Sequence, residues 1–107
     1  MKQRALFIGR WQPPHAGHEW LIRQQLDEGI PCMIAVRPTN EWIETQEVVE
    51  RLYAMFRGED VQVFVLPDDI ESVNIGRGVG YKIIEHVPPD DVAKVSGTEI
   101  RGGLVEG

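Results

Sequence analysis

Three short apolar runs alternate with two segments of helical period, and this alternation constrains the fold more than any other feature. The runs are Ala5-Leu-Phe-Ile8, Pro31-Cys-Met-Ile-Ala-Val36 and Val61-Gln-Val-Phe-Val-Leu66. Each is short and ends at a residue that stops a strand: Gly9, the pair Arg37-Pro38, or Pro67. Between the first two, Trp20, Leu21, Ile22 and Leu26 fall at helical spacing from Ala16 onward, with Gly29 placed as a C-cap. Between the second and third, Val48, Val49, Leu52, Met55 and Phe56 predict a helix over about Glu44 to Phe56, stopped by Gly58. Buried strands alternating with amphipathic helices imply βαβ units on a parallel sheet. Ligands in such folds sit at the carboxyl ends of the strands. That rule marks three loops: Gly9 to Gly17, Arg37 to Asn40, and Ser96 to Arg101.

At 107 residues the chain is expected to form one domain spanning 1–107. Asp plus Glu (17) exceed Lys plus Arg (11), a formal charge of -6, which argues against a nucleic-acid binder or a polybasic membrane binder. A small basic pocket for a phosphorylated ligand stays compatible with that sum. The single cysteine, Cys32, excludes an intramolecular disulfide and a multi-cysteine metal site. It fits a reducing, cytoplasmic setting. No apolar run approaches a membrane span, and Ala5 to Ile8 is too short for a signal peptide.

Beyond Leu66 the pattern weakens. Ile70 to Gly80 is polar and glycine-bearing, expected as a functional loop with some helical turn. Tyr81-Lys-Ile-Ile-Glu-His86 reads as a fourth strand or a helix tail, and Val92-Ala-Lys-Val95 as a last short strand. A weak final helix is expected over Gly97 to Val105.

The first loop carries His15-Ala-Gly-His18. Two histidines three apart share one side of a helix's first turn. That turn also presents unpaired backbone N–H groups and the positive end of the helix dipole, which together receive phosphate. Gly17 removes a side chain where a ligand would approach, and Arg10 stands at the strand end. Two imidazoles, a guanidinium and a helix N-terminus suit a polyphosphate. The bland reading, surface histidines beside a helix start, is weakened by this context. In the last loop, Ser96 and Glu99 have the spacing of a capping box and serve equally to start a helix. If that helix opens at the same sheet end, Ser96, Thr98 and Arg101 would close a phosphate clamp from the opposite side.

These residues carry a resemblance. Gly9-Arg-Trp-Gln-Pro-Pro-His-Ala-Gly-His18 resembles the Gly-Arg-Phe-Gln-Pro-Phe-His-x-Gly-His signature of the nucleotidylyltransferase superfamily, with Trp11 and Pro14 where the signature has Phe. Ser96-Gly-Thr-Glu-Ile-Arg101 resembles its second signature, Ser-x-Thr-x-Ile-Arg. The motifs lie near both ends in the family's order. The resemblance implies a Rossmann-like parallel sheet of order 3-2-1-4-5 flanked by helices. It implies transfer of a nucleotidyl group from a nucleoside triphosphate to a phosphorylated small-molecule acceptor, releasing pyrophosphate. His15 and His18 would face the triphosphate, with His18 stabilising the α-phosphate and Arg101 joining them in catalysis. Gly9, Arg10, Gly17, Ser96 and Thr98 would complete the phosphate site. Mg²⁺ would be carried mainly by the triphosphate. The Arg10 form of the motif most resembles adenylyltransferases, those acting on nicotinamide mononucleotide above all. The cytidylyl branch more often has Thr and Asp in place of Arg10 and Gln12.

An acceptor phosphate is ionised near pH 7, so the reaction needs positioning and charge stabilisation rather than a general base. Histidines facing phosphate are expected to have raised pKa values. Cys32, in an apolar run, reads as core rather than nucleophile. Arg37 would reach a phosphate or serve as surface charge. Asp68, Asn74, Arg77 and Lys82 are candidates to contact the acceptor, and Trp11 either stacks on a base or packs beside the strand end. Trp42 and Tyr53 read as packing or lid residues, and His86 as a surface or half-buried histidine. Gly76-Arg-Gly-Val-Gly80 lacks dinucleotide spacing, and no Walker A motif exists, which sets a kinase-like reading aside. The competing readings are an enzyme using CTP and a nucleotide-binding module or regulatory subunit without catalysis. A short final helix and a small sheet would gain from dimerisation.

Overall fold

The computed structural model describes residues 3–90. Its elements run β1 (Ala5–Gly9), α1 (Ala16–Leu26), β2 (Cys32–Val36), α2 (Thr45–Met55) and β3 (Val61–Val65). The strands form one parallel sheet in the order β1-β2-β3. Each matches an apolar run of the sequence to within a residue at either end. The period-2 rule then sorts the side chains. Phe7, Ile34 and Val63 are in register across the sheet and point to one face. They join Ile22 of α1 and Val48 and Leu52 of α2 in a single buried cluster. Two crossovers of the same hand between successive neighbours put both helices on that face. The opposite face carries the row Ile8, Ala35 and Phe64 and the row Leu6, Met33 and Gln62. Leu6 and Ile8 are exposed there.

The helices stop where the glycines predict. Gly29 and Gly58 lie at φ +80° and +82°, a region that penalises any residue with a Cβ. α2 has no side-chain cap from its own N-cap residue, Glu44. Asn40 substitutes from outside: its Oδ1 accepts from Thr45 N (2.6 Å) and Thr45 Oγ1 (2.7 Å). Arg4 ties the opposite end of the sheet, donating to Cys32 O (3.1 Å) and pairing with Asp60 (2.8 Å). Tyr53, expected as packing or lid, has another task. Its hydroxyl accepts from Val63 N (3.0 Å) and donates to Val63 O (3.2 Å), on the side of β3 away from β2.

Two expectations change beyond β3. Residues 81–86 form neither strand nor helix, and Tyr81, Ile83 and Ile84 are exposed. An apolar run becomes a strand only where a neighbouring strand takes its hydrogen bonds, and none does so among the described residues. The segment from Ile70 to Gly80 contains turns but no helix, with Gly78 and Gly80 at positive φ. The strand expected at 92–95 and the final helix at 97–105 lie outside the described residues. No described helix is long and apolar enough to cross a membrane.

Cys32 sits fully buried on the helix-facing side of β2. Burial, ahead of a smaller raising by Asp60 and against a lowering by Arg4, pushes its thiol up from 9.0 to about 11. Below pH 9 the thiol is protonated in both folded and unfolded chains. Between pH 9 and 11 only the unfolded chain ionises, so stability contributed by the neutral thiol is lost as pH rises. The shift corresponds to about 2–3 kcal/mol. In denaturant titrations, wild type is expected to lose that much relative to Cys32→Val between pH 9 and 11. A constant gap between the two across this range would refute the assignment.

Candidate functional site

The carboxyl ends of all three strands open onto a cleft of about 470 Å³. Its walls come from Ile8 of β1, the segment after β2 (Arg37, Pro38, Thr39, Glu41) and the segment after β3 (Leu66 to Val73). This is where a parallel sheet leaves room for a ligand, because the loops diverge from strands that are themselves packed. Arg37, read as a phosphate contact or surface charge, and Asp68, read as a candidate acceptor contact, both line the cleft. Glu41, Glu71 and Ser72 line it without having been singled out, and Thr39 contributes a buried hydroxyl with no hydrogen-bond partner among the described residues.

Beside this cleft, the loop after β1 is built around its two histidines. His15 is the N-cap of α1 in extended conformation (φ −145°, ψ 179°). Its Nδ1 accepts from Gly17 N at 3.0 Å. In return His15 N donates to His18 Nδ1 at 3.3 Å. This is a capping box with imidazoles in place of the usual hydroxyl and carboxylate. The rings stack, with centroids 3.7 Å apart and planes 22° apart. A ring nitrogen that accepts an N–H cannot carry a proton, so in each neutral imidazole the hydrogen resides on Nε2. The backbone thus fixes one tautomer for both. His15 Nε2 is itself shielded from solvent.

His18 is 5% exposed because it heads the inner stripe of α1, followed by Ile22 and Gln25 at helical intervals. Trp11 seats it edge-to-face, with centroids 4.8 Å apart. Of the two readings of Trp11, the structure shows the packed one. The indole is 0% exposed and its Nε1 donates to Ala35 O at 3.1 Å, so it cannot stack on a ligand base without leaving the core. Its φ of +56° lies in the left-handed region and turns the chain sharply just after β1.

The next residue joins two of the marked loops. Gln12 is 1% exposed, and its Oε1 accepts from both Trp42 N (2.9 Å) and Ile43 N (3.0 Å). Its Nε2 donates to Ile43 O at 3.1 Å. Three polar backbone groups of the β2–α2 loop are therefore satisfied by one side chain from the β1–α1 loop. Arg10 adds an ion pair along the same seam, Nη1 to Glu41 Oε1 at 2.6 Å. Gly9 closes it, its carbonyl accepting from Arg37 N at 2.8 Å.

Other expected residues lie apart. Asn74, Arg77 and Lys82 are exposed and do not line the cleft; Asn74 Nδ2 donates to Ser72 Oγ at 3.0 Å. His86 is half-buried, as expected, with its ring 6.5 Å from that of Phe7. Ser96, Thr98 and Arg101 lie outside the described residues. Gln12 and Glu41 were missed because their partners are about 30 residues away in sequence, and no local spacing encodes such a pairing.

Removing the amide in Gln12→Ala leaves two N–H groups and a carbonyl without their partner, at a cost of about 1–3 kcal/mol. The unfolding free energy from denaturant titration is expected to fall by that amount. Amide hydrogen exchange at Trp42 and Ile43 is expected to accelerate far more than in α2. Unchanged protection at these two amides would refute the clamp.

Comparison with known proteins finds no family model, no curated protein and no solved structure that matches the chain.

Proposed function

We propose that the chain is a nucleotidylyltransferase. It transfers a nucleotidyl group, adenylyl in the first instance, from a nucleoside triphosphate to a phosphorylated small-molecule acceptor, and pyrophosphate leaves. The observation that carries this reading is the reciprocal His15–His18 cap at the N-terminus of α1, which leaves Nε2–H as the donor end of both rings. Donors oriented in advance by the backbone need no reorganisation as charge accumulates on phosphorus, which is how such sites lower a barrier. The three-strand parallel sheet is compatible with the first half of the order 3-2-1-4-5, in which further strands would add beside β1.

In the reaction an acceptor phosphate oxygen bonds to the α-phosphorus as the bond from that phosphorus to the bridging oxygen of the β-phosphate breaks. The acceptor oxygen is already anionic, so no base is required. Arg10 and the first turn of α1 hold negative charge, and His18 with His15 stabilises the crowded α-phosphate. A phosphate reaches His15 Nε2 only after the atoms that shield it move aside. Among the described residues no three His, Cys, Asp or Glu side chains group as ligands for a metal. Mg²⁺ in this reading arrives on the triphosphate as part of the substrate.

The test is a panel of phosphorylated acceptors, nicotinamide mononucleotide first, with Mg²⁺ and either ATP or CTP, reading pyrophosphate. ATP is expected to support turnover; CTP alone doing so would assign the cytidylyl branch. Binding of triphosphate without release across the panel would assign a nucleotide-binding module. His15→Ala and His18→Ala are expected to lower kcat by about 10²-fold. His15→Asn keeps an acceptor for Gly17 N–H while losing the Nε2 donor, and is expected to melt near wild type with the same loss of turnover. Unchanged turnover in both alanine variants would sink the reading.

A further inference from the structure

The arginine that the proposed function assigns to phosphate already holds a carboxylate. Arg10 and Glu41 are 24% and 31% exposed at the side chain and meet at 2.6 Å. Glu41 is not a wandering surface residue. On its C-terminal side, Trp42 N and Ile43 N are gripped by the buried Gln12 amide. On its N-terminal side, Asn40 sits at φ +50° with its carboxamide bonded to the start of α2. The chain therefore presents this carboxylate at one place, on the wall of the cleft and against the guanidinium.

Two electrostatic effects of Glu41 then act in the same direction. It neutralises Arg10, and it repels any anion entering the cleft. An ion pair this exposed is screened by water and weak in net terms. A triphosphate offers several charges and several acceptor oxygens to the same guanidinium, and charge-assisted contacts of that kind are the stronger ones. A single phosphate offers far less against the same obstacle.

We infer that Glu41 is a displaceable counter-ion: it occupies Arg10 in the ligand-free chain and yields it to a polyphosphate, so that singly phosphorylated anions are held off the Arg10 position. The inference rests on the proposed function only in taking Arg10 as a phosphate ligand.

Inorganic tripolyphosphate and inorganic phosphate are the probes, titrated calorimetrically into wild type, Glu41→Gln, Glu41→Ala and each of these combined with Arg10→Gln. Thermal melting confirms that each variant is folded. Glu41→Gln and Glu41→Ala are expected to bind tripolyphosphate about three- to tenfold more tightly than wild type. They are expected to bring inorganic phosphate binding into the measurable range. The gain is expected to shrink to the small part due to repulsion when Arg10 is replaced. Equal or weaker tripolyphosphate binding in the folded Glu41 variants would overturn the inference. So would a gain that is undiminished in Arg10→Gln, because repulsion alone would then account for it. Wild type and variants all failing to bind tripolyphosphate would overturn both this inference and the proposed function. The expected gain without pyrophosphate release from any acceptor would overturn the proposed function alone.

Discussion

Gln12 is a buried amide whose three hydrogen bonds hold two loops in one place. Strands of a parallel sheet are pinned by their ladders, but the loops beyond them are not. Backbone polar groups in such a loop face either water or a partner. Here Trp42 and Ile43 turn inward, and the Gln12 carboxamide offers the acceptor and the donor that they need together. Because Gln12 sits three residues before His15, the β2–α2 loop is registered against the imidazole cap as well as against Arg10. Neither helix lines the cleft, whose walls come from Ile8 and the loops after β2 and β3.

The first two-thirds of the fold was legible because each element there satisfies its own local rule. β1, β2 and β3 are short apolar runs with breakers at their ends, and α2 shows its Val48–Leu52 stripe plainly. α1 was legible for a less direct reason. Its inner stripe is His18, Ile22 and Gln25, two of them polar; only Ile22 of these signalled the helix, together with Trp20, Leu21, Leu26 and the closing glycine. The run at 81–86 misled because its residues have strand-like character without a strand beside them among the described residues. The sequence marked the histidine pair as a candidate phosphate site, which remains a proposal, but did not reveal its duty as a cap. Histidine is not a usual N-cap residue, and the reciprocal bonds come with a ring stacking that local spacing does not announce.

Charge was the least legible property. The sum of -6 describes the whole chain, and the motifs pointed to a local excess of cations against it. The structure shows a mixed cleft instead: Arg37 shares the wall with Glu41, Asp68 and Glu71, while Arg10 is held by one of those carboxylates. Pairs of this kind form across about 30 residues of sequence and follow from the register of the loops, not from composition. Under the proposed function, the carboxylates on this wall would make the cleft discriminate by the strength of its ligand's charge.

The hydroxyl of Tyr53 has a consequence for growth of the sheet. A strand edge is a row of donors and acceptors on offer to any extended chain, and proteins protect such rows against stray pairing. At the middle of β3 both outward groups of Val63 are taken by one phenol, which donates to the carbonyl and accepts from the amide. An incoming strand would have to evict that side chain before forming its central bonds. Among the described residues the sheet therefore has one margin guarded at its centre, along β3, and one without such a guard, along β1.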